Sequence, residues 1–103
     1  MAANPLLKGI APVHPGAILR EDVLPALGKT KTAIAALLGV SRQTLHDILA
    51  EKQPVTPGMA LRLGKLLGNG ADLWLNLQRK HDLHMAEREL AKEIAKIPTL
   101  SAA

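Results

Sequence analysis

Apolar residues recur along this chain at intervals of three and four, in five groups, and this spacing is typical of helices that bury one face. Pro15 suits the first position of a helix, where no N–H donor is needed, and Pro25 with Gly28 predicts its end. Thr30 or Thr32 is predicted to cap a second, short helix. The apolar residues predicted for the inner face of this second helix are Ala33, Ile34, Leu37 and Leu38.

Three further helices are predicted after Gly39, a residue that adopts the positive φ of a helix end without strain. Ser41 is a good cap for the third helix, and Thr56, with a proline directly after it, predicts the start of the fourth. The fifth is predicted to begin near Ala71 and to run as one long helix to residue 97. The pattern therefore predicts an all-α chain.

The composition agrees with an all-α fold. Leu and Ala fill the apolar positions and are strong helix formers, whereas the single aromatic residue is Trp74. A chain of 103 residues has room for one domain. We expect an irregular arm over residues 1–13, a helical domain over residues 14–82, and a helical extension with a short tail over residues 83–103.

Several classes of site are disfavoured by the residues that the chain lacks. It has no cysteine, which excludes disulfides, thiolate zinc sites and cysteine nucleophiles. No apolar stretch approaches the roughly 20 residues of a membrane span, and no export signal is visible, so we expect a cytoplasmic protein without a membrane partner. His81 and His84 have no third ligand nearby, so neither a metal nor another cofactor is expected.

The net charge of +4 is concentrated in the middle of the chain. Residues 29–56 hold four basic and two acidic side chains, and residues 57–70 hold two basic and none acidic. The two ends are balanced, since residues 1–28 and residues 71–103 each carry no net charge. A localised basic face is the electrostatic footprint of a nucleic-acid binder, although a merely solvated face is the alternative interpretation.

Residues 32–50 have the pattern of a helix-turn-helix. Two helices joined by a tight turn need a small residue where they cross, Ala35 or Ala36, and a glycine at the corner, Gly39. In this motif the second helix enters the DNA major groove by its first turn. An ordinary hairpin of two helices is the alternative. The outward residues of the second helix are predicted to be Ser41, Arg42, Gln43, Thr44, His46 and Asp47.

Four blocks of sequence, over residues 14–22, 39–44, 61–70 and 73–78, resemble the HigA-type antitoxins. These are phage-repressor-like helix-turn-helix regulators of bacterial toxin–antitoxin modules. The resemblance implies a five-helix lambda-repressor-like domain, here with an extended C-terminal helix. It also implies homodimerisation, repression of the protein's own operon at a palindromic operator, and neutralisation of a HigB-type ribosome-dependent mRNA endonuclease. No enzymatic activity is expected.

Two other functions stay open from the sequence. The first is a stand-alone transcriptional repressor of the same fold that has no toxin partner. The second is a helical module that binds only other proteins. An antitoxin that represses its operon and a stand-alone repressor would both be located on the bacterial nucleoid when they are bound to duplex DNA.

Candidate site residues follow from the motif and the resemblance together. Trp74 has alternatives, since it suits core or subunit packing as well as stacking on a base or filling a toxin pocket. The predicted base-reading residues are Ser41, Arg42, Gln43, Thr44 and Asp47, and the predicted phosphate contacts are Lys31, Thr32 and Lys52. Asp47 repels phosphate, and its alternative role is to orient Arg42 or Lys31. The residues predicted to form a dimer interface are Trp74, Leu77, Leu83, Leu90 and Ile94.

Overall fold

The computed structural model describes residues 11–101, and this part of the chain contains helices and no strand. The all-α prediction is confirmed. Residues 1–10 of the predicted arm lie outside the described residues, and residues 11–14 have no regular secondary structure. No helix among the described residues has the length and hydropathy needed to cross a membrane. The six helices are α1 (residues 15–27), α2 (Lys31–Leu38), α3 (Arg42–Leu49), α4 (Pro57–Leu67), α5 (Ala71–Glu89) and α6 (Ala91–Ala95).

Helix α1 ends at Leu27, before Gly28 with a φ of 65°, which is within the end that the sequence predicted from Pro25 and Gly28, and the helix continues through Pro25 itself. A π-helical stretch, Leu19–Val23, precedes the proline, and the backbone N–H of Leu24 donates to the carbonyl of Leu19. Pro25 lies directly after these wider turns, in the final stretch Leu24–Leu27 of the same helix, and the N–H that it lacks leaves one carbonyl of the preceding turn without a helical donor. The wider turn therefore lets the helix continue past a residue that ordinarily breaks it.

Side-chain caps begin three of the other helices where the sequence predicted them. Thr30, rather than Thr32, caps α2 and accepts a hydrogen bond from the backbone of Ala33 at 3.1 Å. Ser41 and Thr56 cap α3 and α4 in the same manner. Each cap satisfies one backbone donor that has no partner within its helix.

The core is aliphatic apart from Trp74. Helix α2 differs from the prediction, because Ala33 is exposed and Leu37 is 58% exposed, whereas Ala35 is buried. The helix packs against both α3 and α4, and this packing turns the face bearing Ala35 inward. The buried apolar residues are Leu19, Ile34, Ala35, Leu38, Leu45, Ile48, Leu49, Val55, Met59, Ala60, Leu63 and Trp74.

The predicted long C-terminal helix is interrupted at Leu90, where φ is −103° and ψ is 10°. Helix α5 is in the core near its start, since Trp74 and Gln78 are buried there. Every residue from 87 to 101 is exposed. The prediction of one unbroken helix is therefore wrong, and the break lies in a region where no packing by the described residues supports a straight helix.

Helices α1 and α3 approach each other backbone to backbone at Gly16. A Cβ atom added to Gly16 would overlap the carbonyl oxygen of Ile48. A similar approach joins α4 to the start of α5, where a Cβ on Gly64 would overlap the carbonyl carbon of Gly70. Both contacts depend on the absence of a side chain, and the first one sets the position of α3.

We predict that Gly16→Ala destabilises the fold by about 1–3 kcal/mol, because α3 must move away to admit the methyl group. Gly58→Ala is the matched control, since a Cβ at Gly58 meets no atom within 4 Å. The control is expected to be neutral or to stabilise α4 by up to about 1 kcal/mol. Urea unfolding of the two variants and the parent protein measures both effects, and equal stabilities of the two variants would disprove the close contact.

His14 begins α1 as a buried cap, 4% exposed. Its Nδ1 accepts the backbone N–H of Gly16 at 2.8 Å, so this nitrogen carries no proton in the folded protein. The ring of His81 contacts it edge-on, with centroids 5.1 Å apart. Burial, followed by the nearby charge of His81, lowers the pKa of His14. Smaller contributions in the opposite direction come from Glu51, Asp82 and the backbone carbonyl of Gln53.

The lowered pKa of His14 predicts a loss of stability in acid. As the pH falls below about 6.5, the unfolded chain takes up this proton before the folded chain does, so the free energy of unfolding decreases. His14→Asn keeps a side-chain cap without a titrating group and is expected to flatten this decrease. Urea unfolding between about pH 5 and 7.5 measures it, with His46→Asn as an exposed control. If the free energy of unfolding of His14→Asn changed with pH as steeply as that of the parent, the lowered pKa of His14 would not be the cause of the acid instability.

Candidate nucleic-acid interface

Helix α3 has one buried face and one exposed polar face. Leu45, Ile48 and Leu49 are buried in the core, whereas Arg42 and Gln43 are exposed. His46 is exposed beside them, and these three polar side chains line a shallow cleft on the surface. The division follows from the helical repeat, because residues three and four apart share a face. The first turn of the helix is therefore accessible to a ligand, while its apolar face is held in the core.

Two arginines from other helices hold the helix-turn-helix at its internal turn and at its end. Arg20 on α1 donates from Nη1 to the carbonyl of Leu49 at 2.7 Å, and Arg62 on α4 donates from Nη1 to the carbonyl of Leu38 at 2.7 Å. Both acceptors are carbonyls at helix ends, which have no partner within their own helix. Neither role could be predicted from the sequence, because each bond joins residues more than 20 positions apart.

The turn between α2 and α3 is shaped by Gly39, as predicted. Its φ is 73°, a left-handed conformation that favours glycine. A Cβ at this position would also lie 2.7 Å from Nη1 of Arg62. The corner therefore requires a glycine for its backbone angle and for the room that the arginine needs.

Within the part of the chain that the structure describes, the predicted base-reading residues form two hydrogen-bonded pairs and one unpaired residue. Ser41 caps α3, since its Oγ accepts the backbone N–H of Thr44 at 3.0 Å, and it donates from Oγ to Oγ1 of Thr44 at 2.8 Å. Gln43 donates from Nε2 to Oδ1 of Asp47 at 2.9 Å. Among the described residues, Arg42 has no hydrogen bond or ion pair. The carboxylate of Asp47 therefore holds Gln43, and does not orient Arg42 or Lys31.

The predicted phosphate contacts are exposed on either side of α3 in the chain. Lys31 and Thr32 occupy the first turn of α2, and Lys52 lies in the turn that follows α3. Arg62 contributes to the basic surplus of the sequence, yet its guanidinium is bound to a carbonyl of the helix-turn-helix. Arg62 is nevertheless exposed and keeps its charge, so the surplus that faces solvent in this part of the chain consists of lysines, Arg42 and Arg62.

The predicted dimer residues divide between the core and the surface. Trp74 is 2% exposed, and its Nε1 donates to Oδ1 of Asn69 at 3.0 Å, so the ring serves the core of its own protomer. It has too little surface for a subunit contact, a base or a toxin, and the prediction of an interface role was wrong. Leu77 is half-buried against the core. The exposed members are Leu83, Leu90 and Ile94, at 51%, 43% and 54%.

Within residues 11–101, no three potential ligands are grouped as a metal site. His81 lies against His14, and its Nδ1 is 3.4 Å from Oδ1 of Asp82. Asp82 in turn accepts a hydrogen bond from Nε2 of Gln78 at 2.9 Å. His81 thus belongs to the contact between α1 and α5.

The profile of the helix-turn-helix family matches residues 19–74 of this chain. Virulence-associated protein I of Dichelobacter nodosus is 42% identical over 77 residues, which cover 75% of this chain and 71% of that protein. The structure of Pseudomonas aeruginosa antitoxin HigA with the higBA promoter has a TM-score of 0.82 and 36% identity, over 87% of this chain and 99% of that one. The structure of antitoxin GraA in complex with its operator has a TM-score of 0.83 and 39% identity, over 99% and 100% of the two chains.

Proposed function

This chain belongs to the helix-turn-helix family, in the group of HigA-type antitoxins, and we propose that it is an antitoxin that represses transcription by binding operator DNA through α3. Support comes from the way α3 is held. Its inner face is buried and arginines bind a carbonyl at the turn before it and the carbonyl at its end, while its first turn is exposed and polar. A helix fixed in this way can enter the major groove with little further loss of conformational entropy.

Each side chain of the exposed face has a role that its chemistry allows. Arg42 is free to bind guanine with two parallel hydrogen bonds, the commonest specific contact in the major groove. Asp47 holds the amide nitrogen of Gln43, which leaves the amide oxygen of Gln43 to accept from a base. Ser41 and Thr44 lie at the helix start, where backbone N–H groups favour a phosphate. The proposed further phosphate contacts are Lys31, Thr32 and Lys52.

The repressor binds as a homodimer. Two copies of α3 related by a two-fold axis read half-sites about one DNA turn apart, so the operator is a palindrome. The exposed apolar residues of the C-terminal region, Leu83, Leu90 and Ile94, supply the contact between the copies. Burial of such side chains is the main favourable term in subunit association.

The partner that the antitoxin neutralises is a HigB-type, ribosome-dependent mRNA endonuclease. Support comes from the two structural relatives, which are both antitoxins and which cover nearly the whole chain. The chain itself acts by binding and has no catalytic role. A stand-alone repressor without a toxin is the alternative, and it differs in having no partner encoded by the neighbouring gene.

We predict that Arg42→Ala weakens binding to the operator by about 1–3 kcal/mol, because a bidentate contact with guanine is lost. Binding to unrelated DNA should change little at the same salt concentration. Lys80→Ala, on the exposed part of α5, is the control that removes one positive charge away from α3. Fluorescence anisotropy with both DNAs gives the two affinities. An equal loss on operator and unrelated DNA would exclude a base-reading role.

We also predict that the product of the neighbouring gene, expressed alone, inhibits cell growth. Co-expression of this chain should restore growth, and the two proteins should co-purify. The matched variant is Arg42→Ala, which should lose operator specificity and keep toxin inhibition, so that DNA binding and neutralisation are measured separately. Operator binding by the parent protein without co-purification or growth rescue would establish the stand-alone repressor instead.

A further inference from the structure

Helix α3 ends in a turn that is closed by two backbone hydrogen bonds. The N–H of Glu51 donates to the carbonyl of Ile48 at 3.0 Å, and the N–H of Lys52 donates to the carbonyl of Asp47 at 2.8 Å. Such a turn places the residue after the helix cap in the left-handed region, a position that glycine ordinarily occupies. Here Glu51 occupies it, with a φ of 61°. The end of α3 is therefore strained, because a residue with a side chain adopts this conformation only at a cost in energy.

Glu51 differs from the residues that end the neighbouring helices. Helices α1, α2 and α4 also end in the left-handed conformation, and each has a glycine there, with φ values of 65°, 73° and 75° at Gly28, Gly39 and Gly68. Within residues 11–101, Glu51 is the only residue other than glycine that has a positive φ. Strained backbone of this kind persists only where surrounding contacts hold it, and it is concentrated at functional sites. The reason for a glutamate at the end of α3 must therefore lie in what its side chain contacts.

The carboxylate of Glu51 contacts Arg20 of α1. Nη1 of Arg20 lies 3.2 Å from Oε2 of Glu51, and it donates to the carbonyl of Leu49 at 2.7 Å. The same guanidinium donates from Nε to Oε1 of Glu21 at 2.9 Å. Glu21 belongs to α1 itself, so its pair with Arg20 does not join the two helices. Glu51 is therefore the carboxylate that holds the guanidinium toward the end of α3.

The hydrogen bond from Arg20 supplies a restraint that the close approach of Gly16 does not. The Gly16 contact stops α3 from moving closer to α1, because atoms would overlap, but it does not stop the two helices from separating. Apolar burial on the inner face of α3 opposes separation without a preferred direction. The distance along the axis from Arg42 to Leu49 is about 10 Å, so a separation of about 2 Å at Leu49 would tilt α3 by about 10°. A tilt of this size misplaces side chains that must meet base edges.

We propose that Glu51 is a positioning residue for DNA recognition. Its carboxylate keeps Arg20 on the carbonyl of Leu49, and the strained backbone places that carboxylate at the end of α3. This inference rests on the proposed repressor, and it identifies a side chain that sets operator specificity without touching a base. A glycine at this position would relieve the backbone and release the arginine.

The charge of Glu51 has a second effect on DNA binding, which must be separated from positioning. A carboxylate repels phosphate, and Glu51 lies directly before Lys52, a proposed phosphate contact. Loss of that repulsion strengthens binding to every DNA, whereas loss of the positioning contact weakens binding to the operator alone. The ratio of the affinities for operator and unrelated DNA therefore isolates the positioning effect, because a general change in charge cancels from it.

Glu51→Gly tests the proposal, because glycine adopts a φ of 61° without strain. The variant is expected to unfold at the same urea concentration as the parent or at a higher one. Its preference for the DNA upstream of the chain's own gene, over an unrelated fragment of equal length, should fall about two- to fivefold, the range expected when one exposed ion pair is lost. Fluorescence anisotropy at one salt concentration gives both affinities. A residue with only a structural role would change stability and specificity in the same direction.

Glu21→Gln is the matched control for this variant. It removes the other carboxylate that contacts Arg20 and leaves the link to α3 in place, so the preference for operator should not fall. Glu51→Gln keeps an oxygen that can accept from Arg20, and it is expected to retain part of the preference. Arg20→Gln, alone and combined with Glu51→Gly, shows whether the two residues act together. The double variant should have the same preference as Arg20→Gln alone.

Three outcomes would overturn the inference. An unchanged preference in Glu51→Gly would mean that the strained residue has no part in recognition, and it would leave the proposed function intact. Additive losses from Arg20→Gln and Glu51→Gly would mean that Glu51 does not act through the arginine. A parent protein without any preference for its upstream DNA would reject the proposed function, and this inference with it.

Discussion

The contact between Gly16 on α1 and the carbonyl of Ile48 on α3 is the constraint on which the DNA-reading surface depends. It brings two backbones together without a side chain between them, so α3 has little freedom to shift. Arg20, one turn further along α1, then binds the carbonyl at the end of α3. Because α1 itself begins with the buried cap of His14, the position of the recognition helix depends on the N-terminal side of the domain.

The chain separates its two binding functions along its length. The exposed face of α3 is polar and belongs to a helix fixed on several sides, which suits a ligand read by hydrogen bonds. The exposed surface of α5 and α6 carries apolar residues and extends away from the core, which suits a protein partner. Gln78 joins the two regions, because it binds the segment after α3 while it lies on α5.

Features set by neighbouring residues could be predicted from the sequence. The caps at Ser41 and Thr56 use bonds across three residues, and the corner at Gly39 follows from its own backbone angle. The Gln43–Asp47 bond spans four residues of one helix and could have been predicted from that spacing. The helix-turn-helix and its outward face therefore follow from short-range patterns in the chain.

Features that depend on distant parts of the chain were not predictable in this way. The roles of Arg20 and Arg62 require knowing which carbonyls lie opposite them. The inward face of α2 was misplaced at Leu37 because two neighbours, rather than the local pattern, decide its rotation. The break at Leu90 occurs without glycine or proline, so composition gives no sign of it.

Hydroxyl-radical footprinting on the DNA upstream of the chain's own gene tests most directly whether α3 reads DNA sequence. We expect two protected half-sites related by two-fold symmetry, with centres about 10 base pairs apart. Protection of equal strength along unrelated DNA, or no protection at protein concentrations that saturate a specific site, would contradict the role of α3 as a sequence-reading helix.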